Sequence, residues 1–502
     1  MQSVEQFRAS QLVSSMRFYR HSVDRVVSDV IGLMTGDPDG SSMRDPSPES
    51  DRASECAADR TASALADADP DVASIVGEER RRQESTLSLI ASENCASRAV
   101  MAAQGSCLTN KYAEGEPGDR YYAGCEHVDD LERLATRRAE ELFDVAHANV
   151  QPHAGTQANV AAYEALLEPG DRICSLGIGD GGHLSHGHPA TLVGSHYDVA
   201  TYDVDPETGY LDYDAVEATV RDTDPDLVVA GYSAYPRTVD WERFREIADA
   251  VDAWLLADIA HLTGLIAADE YPSPVGVADV VTGSTHKTIR AGRGGIVMTD
   301  DDSLADDLDA AVFPGVQGGP LVHNMAGKAV GFGEALRGEF EGYAERVLDT
   351  ADALAERLQK RGYALVSEGT DCHFALVDLR PTDPDLPGTA AEDALERAGL
   401  VVSRSAVPGD ERPTHVGSGI RLGTPALVSR GLGVPEVRQV ADWIADVLDA
   451  PENEAVIAGT RAKVRECCLE HPIYDDGWTP ATSAASVEGP SDGLDDAPEA
   501  DR

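Results

Sequence analysis

From residue 145 to residue 335, short apolar runs alternate with segments whose apolar positions recur at helical spacing. The runs Arg172–Leu176, Leu227–Gly231, Trp254–Ala257, Asp279–Thr285 and Gly294–Thr299 have strand length, and most are separated by enough chain for a crossover helix. That pattern predicts an α/β fold with a mostly parallel sheet covered by helices on both faces. After it comes a long helix over 339–361, then strands at Ala364–Ser367, Phe374–Asp378 and Leu400–Ser403. With a helix at 389–398 and a last long helix at 435–449, this predicts a smaller C-terminal α/β domain. Upstream, Asp69 and Pro70 are a helix-start signal for a segment that carries Val72, Ile75 and Val76 on one face and ends near Ser85. Asn110–Tyr122 reads as a loop rich in hydrogen-bonding side chains, and a helix follows over 128–143. The chain thus divides into an arm (70–143), a large domain (144–338) and a small domain (339–475). Residues 1–35 carry a helical pattern, 36–69 are small, acidic and Pro/Ser-rich, and 476–502 hold seven acidic residues against one basic. We expect 1–69 to be an extension and disordered linker and 476–502 a disordered tail.

Composition narrows the setting. The 502 residues include 89 acidic against 41 basic, for a net charge of −48, and only five of the basic residues are lysine. So acidic a chain offers no basic patch for a nucleic-acid backbone, whereas it suits a protein kept soluble at high salt, where self-repulsion is screened. A halophilic cytoplasm is the expected location. The eight cysteines show no Cys-x-x-Cys pair or zinc-ligand spacing and read as reduced thiols. No apolar run reaches the roughly 18 residues of a membrane span, and arginines break up the first 35 residues where a signal peptide would need an apolar stretch.

Against that lysine-poor background Lys287 stands out, in Ser284-Thr-His-Lys-Thr288 at the end of an apolar strand. A lysine on a loop is ordinarily a surface charge, but one at a strand end beside His286 is placed for Schiff-base chemistry. Asp258, closing the run Trp254–Ala257, supplies the carboxylate that would keep a pyridine ring protonated. Gly155 and Thr156 open a helix and offer free N–H groups and a hydroxyl to a phosphate, although Gly-Thr there is more often a plain cap. The glycines of Phe313–Pro320 could approach a phosphate or simply turn the chain. His183, beside Gly181 and Gly182, could stack on a ring or serve the loop alone.

Eight segments in order, LIASEN, LTNKYAEGEPGDRYYAGCEHVD, NVQPHAGTQAN, GGHLSHG, ADIAH, STHKT, AVFPGVQGGP and SGIRLGTPA, resemble the serine hydroxymethyltransferases over about residues 70–475. The resemblance implies a pyridoxal 5'-phosphate enzyme of the aspartate-aminotransferase fold type, here of haloarchaeal character. It would move the hydroxymethyl group of serine reversibly to a tetrahydrofolate-type pterin, giving glycine. Lys287 would carry the cofactor with His286 beside it, Asp258 would pair with its ring nitrogen, and His183 would stack on its ring. Gly155 and Thr156 would hold the phosphate, with Gly318 and Gly319 reaching over from the second subunit of a homodimer. Ser233 and His261 would lie near the phenolic oxygen. Arg421 and Ser92 would clamp the substrate carboxylate, Glu114 would be the acid/base group at the serine hydroxyl, and Tyr112 and Tyr122 would line the site across the interface. Three positions depart from the family pattern: Asp180 where histidine is usual, Cys372 for asparagine, and Ser405 for asparagine. The expected effect falls on the pterin side, which keeps a folate-independent aldolase of threonine-like substrates, or an α-methylserine hydroxymethyltransferase, as the alternative.

Overall fold

The computed structural model describes residues 64–474; the expected N-terminal extension, most of its linker and the acidic tail lie outside these residues. Its strands are β1 (Leu87–Ser88), β2 (Gly115–Glu116), β3 (Asp119–Arg120), β4 (His147–Asn149), β5 (Arg172–Leu176), β6 (Asp198–Tyr202), β7 (Leu227–Ala230) and β8 (Trp254–Asp258), followed by β9 (Val280–Ser284), β10 (Gly295–Thr299), β11 (Ala364–Leu365), β12 (Phe374–Asp378), β13 (Leu400–Val401), β14 (Ser403–Ser405) and β15 (Gly419–Gly423). The helices that matter for the site are α1 (Pro70–Ser85), α2 (Glu126–Phe143), α3 (Gly155–Leu166), α4 (Val322–Ala335), α5 (Glu339–Lys360), α6 (Val434–Leu448) and α7 (Glu454–Glu470).

Seven strands form the large sheet in the order β4-β10-β9-β8-β7-β5-β6. All pairings are parallel except those of β10, which runs against both β9 and β4. Every residue of β7, β9 and β10 is buried, which is why they read as unbroken apolar runs. The small sheet, β11-β12-β15-β14, is antiparallel and lies in a second core with α5, α6 and α7. Leu87 and Leu89 belong to that core, because β1 pairs in parallel with β13.

Several expectations need correction. The run Ala364–Ser367 is a strand only at Ala364–Leu365, since Ser367 takes a left-handed backbone (φ 55°) that ends the ladder. Leu400–Ser403 splits at Val402 into β13 and β14, which pair with different partners. The helix at 434–448 is not the last: Asn453 caps a further one, α7, by accepting from the N–H groups of Ala455 and Val456. Residues 64–68 already form a helical turn, so ordered chain begins ahead of Asp69. In α1 the apolar side chains of Val72, Ile75 and Val76 are solvent-exposed, Ile75 by 64 %. No helix among the described residues is long and apolar enough to cross a membrane.

Candidate active site

The carboxyl ends of β8 and β9 deliver Asp258 and, three residues past Ser284, Lys287. Parallel neighbours bring their ends to one edge of the sheet, where the two side chains act on each other's charge. Asp258 is 7 % exposed; its Oδ2 accepts from Asn159 Nδ2 at 2.9 Å and lies 3.0 Å from His186 Nε2, and its Oδ1 accepts from the Ala260 N–H at 2.8 Å. Burial works against its charge, but the bond to His186 and the nearby His183 and Lys287 outweigh it and hold the carboxyl well below its usual range. A carboxylate only accepts, so His186 donates from Nε2, and its Nδ1 lies 2.6 Å from the Tyr163 hydroxyl. Asn159 is itself fixed by the Thr282 hydroxyl at 2.5 Å and reaches Ser185 Oγ at 2.8 Å, and Ser185 Oγ lies 2.6 Å from His183 Nδ1. One hydrogen-bonded chain therefore positions both the carboxylate and His183, whose pKa burial pushes down to about 4.

Burial also pushes the Lys287 amine down to about 8, against the opposing pull of Asp258. The turn that carries it is pinned by Asn94, whose amide donates to the Lys287 carbonyl at 2.9 Å and whose oxygen accepts from Ser429 at 2.6 Å. His286 is kept neutral by burial and by Arg293, its pKa pushed down to about 3, and its buried Nδ1 has no hydrogen-bond partner. His261 stacks on His373 with ring centroids 5.4 Å apart, and burial holds its pKa well below the usual value. Arg421 on β15 donates from Nη1 to the Ser233 carbonyl, while its buried Nε makes no hydrogen bond. Burial lowers this guanidinium to about 10, so an anion here would meet a desolvated cation with a donor to spare. Ser92 follows Ala91, which packs against the Gly423 backbone two residues beyond Arg421.

Gly155 opens α3, no side chain caps that helix, and Thr156 beside it is exposed. The first-turn N–H groups are thus open toward solvent. A Cβ at Gly155 would lie 3.4 Å from Cβ of Ser284, which places this cup against the strand that leads to Lys287.

The remaining expected residues form a second cluster. Tyr112 and Tyr122 donate to opposite oxygens of Glu114, each at 3.0 Å, and their rings meet edge-on at 5.5 Å. Gly318 and Gly319 pack on the same group, and a Cβ at Gly319 would lie 3.4 Å from the Tyr112 ring. The side-chain hydrogen bonds described for Glu114 and Tyr112 stay within this cluster; none reaches Lys287, Asp258 or Arg421. Both tyrosines are exposed.

Of the departing positions, Asp180 is pushed up to about 7 by burial and by the carboxyl of Asp203, to which it hydrogen-bonds. The Cys372 thiol is buried near Arg421, and burial pushes its pKa up to about 11. Ser405 lies on β14 opposite Gly419. Sequence reasoning missed Asn94, Asn159, Tyr163 and His186. Asn94, Asn159 and His186 stand inside the segments LIASEN, NVQPHAGTQAN and GGHLSHG, but nothing in those segments shows what they touch.

The serine hydroxymethyltransferase family model matches residues 65–444. A serine hydroxymethyltransferase of Natronomonas pharaonis is 61 % identical over 408 residues, 81 % of this chain and 96 % of the relative. That of Halorubrum lacusprofundi is 58 % identical over 407 residues (81 % and 98 %), and that of Alkalilimnicola ehrlichii 50 % over 414 (82 % and 98 %).

Proposed function

This chain belongs to the serine hydroxymethyltransferase family, and we propose how its residues divide that enzyme's work. The reaction is the reversible transfer of serine's hydroxymethyl group to a tetrahydrofolate-type pterin with pyridoxal 5'-phosphate as cofactor. The observation that supports the assignment of roles is that a lysine pushed down to about 8, a buried aspartate held ionised and a buried guanidinium with an unused donor lie close enough for the charges of the aspartate and the guanidinium to act on the lysine.

These residues fit the cofactor. An uncapped helix start at Gly155 and Thr156 suits a phosphate, Asp258 suits a cationic ring nitrogen, and Lys287 suits the aldehyde. When bound, the cofactor supplies a protonated ring that takes up the electron pair left on the amino acid's α-carbon. Asp258 would hold the ring proton in place, which it can do because His186 and Asn159 keep it ionised and oriented. His183 would lie against the ring, and Ser233 and His261 would serve its phenolic oxygen. Arg421, with Ser92, holds the substrate carboxylate through the free Nε edge.

Glu114 moves the proton at the serine hydroxyl, held between the phenols of Tyr112 and Tyr122. Tyr112 and Tyr122 are exposed, which supports a working site that is one of two shared by a homodimer, with Glu114, Tyr112, Tyr122, Gly318 and Gly319 of each protomer serving the Lys287 site of the other. Asp180 and Ser405 act on the pterin side. The high-salt cytoplasm is the working environment, in keeping with the net charge of −48.

Serine cleavage assayed with and without tetrahydrofolate in molar salt tests the reading. We expect turnover that depends on the pterin. Rapid cleavage of threonine-type substrates with indifference to tetrahydrofolate would replace the transferase with the aldolase.

A further inference from the structure

Lys328 is one of five lysines in a chain of 502 residues, and its side chain is 1 % exposed in the middle of α4. None of the ion pairs described involves it; its ammonium instead donates to three carbonyls, those of Val150 at 2.7 Å, Pro152 at 2.9 Å and Gly295 at 2.9 Å. Three donors meet three acceptors, a match that only a charged amine makes in full, and these bonds favour the charge against burial, which pushes the amine down to about 7.

The three carbonyls belong to the two loops that the cofactor must bridge. Val150 and Pro152 lead into the Gly155–Thr156 cup. Gly295 begins β10, and the preceding Gly294 carbonyl accepts from the Thr285 N–H at 3.0 Å, two residues before Lys287. The Gly295 N–H in turn donates to the Pro152 carbonyl at 3.0 Å. Little room is left between the loops: a Cβ on Gly295 would lie 2.4 Å from the Ala154 carbonyl oxygen, and one on Gly294 would lie 2.1 Å from Lys328 Cε. The lysine's charge is felt on both sides, lowering the pKa of His153 on the first loop and of His286 on the second, in each case after larger causes led by burial.

We propose that Lys328 is a positioning residue that fixes the phosphate cup and the Lys287 turn at the one separation at which a single cofactor reaches both. A rigid ligand anchored at its two ends gains from both anchors only if their spacing is set beforehand. The inference rests on the assignment of Gly155, Thr156 and Lys287 to those two ends.

The test compares three probes on the full-length chain stripped of cofactor: pyridoxal 5'-phosphate, which uses both ends; pyridoxal, which has the aldehyde alone; and 4'-deoxypyridoxine 5'-phosphate, which has the phosphate alone. Dissociation constants come from tryptophan fluorescence. For Lys328→Met we expect the whole cofactor to bind roughly 30-fold more weakly, the scale of a lost set of charge-assisted hydrogen bonds, while each half-ligand changes by less than about threefold. Gly294→Ala reaches the same contact from the other side, should give the same pattern, and serves if the methionine variant does not fold. Equal weakening of all three probes would make Lys328 a general structural residue and overturn the proposal. So would weakening of only the two phosphates, which would mean simple charge attraction, and so would an unchanged cofactor constant. Two controls on the parent protein isolate the underlying assignment: Lys287→Ala should abolish the reducible pyridoxal adduct, and Thr156→Ala should weaken only the phosphate-bearing probes. Failure of those controls would remove the site reading itself, whatever Lys328 does.

Discussion

In the proposed division of roles, Arg421 serves binding and Glu114 proton transfer. Lysine at 421 keeps the charge but cannot offer the planar pair of donors, so Arg421→Lys should raise the Michaelis constant for serine by roughly tenfold or more. Glu114→Gln keeps the hydrogen bonds that Tyr112 and Tyr122 donate but loses the exchangeable proton, and turnover should fall by roughly 100-fold with serine binding little changed. Steady-state kinetics with serine checks both, and an unchanged turnover in the glutamine variant would remove Glu114 from the chemistry. Asp180 makes a different prediction. Its carboxyl keeps a proton in the folded state up to about 7, whereas an unfolded chain releases it near pH 4. The folded state therefore binds more protons between those limits, and the contribution of this group to stability is lost as pH rises through them. Asp180→Asn removes that loss, so the variant's melting temperature relative to the parent should rise between about pH 5 and about pH 8. A difference that does not change with pH would show that Asp180 and Asp203 do not share a proton. The lysine and its aspartate were legible in the chain because each closes an apolar strand. Asn159, His186 and Tyr163 were not, since their role exists only where α3 and the 183–187 turn meet β8.

At the level of elements, the strand ends carry the site, and they tolerate little change. Gly231 follows β7 at φ 136°, and a Cβ there would stand 2.1 Å from the Asp258 carbonyl oxygen. Gly231→Ala should cost about 1–3 kcal/mol and displace Asp258, lowering both the melting temperature and cofactor affinity together. Thermal melts with and without cofactor check this, and a variant as stable and as tightly loaded as the parent would contradict it. The alternation of strands and helices could be read directly, because β7 to β10 are wholly or almost wholly buried and α2 buries one regular stripe of Val128, Ala135, Ala139 and Phe143. Shorter elements could not. The split between β13 and β14 depends on two different neighbours claiming consecutive residues, and the end of β11 depends on the left-handed turn at Ser367. The buried lysine of α4 looks in sequence like an ordinary polar position on a helix.

For the molecule as a whole, charge sets the working conditions. At about 0.01 M salt the screening length is about 30 Å, so a net charge of −48 repels itself across the protein; at about 1 M it is about 3 Å and only close pairs still interact. Melting temperature and serine turnover should therefore rise together with salt up to molar concentration, and a melting temperature indifferent to salt would refute this. The scarcity of lysine has another consequence. Amine-directed reagents such as succinimidyl esters have five side-chain targets in the chain, namely Lys111, Lys287, Lys328, Lys360 and Lys463. Acylation proceeds through the neutral amine; burial pushes Lys287 down to about 8, and Lys328, pushed down to about 7, is sealed behind three carbonyls. The same sparing use of lysine thus leaves few side-chain amines to compete with Lys287 for such a reagent once the cofactor is removed.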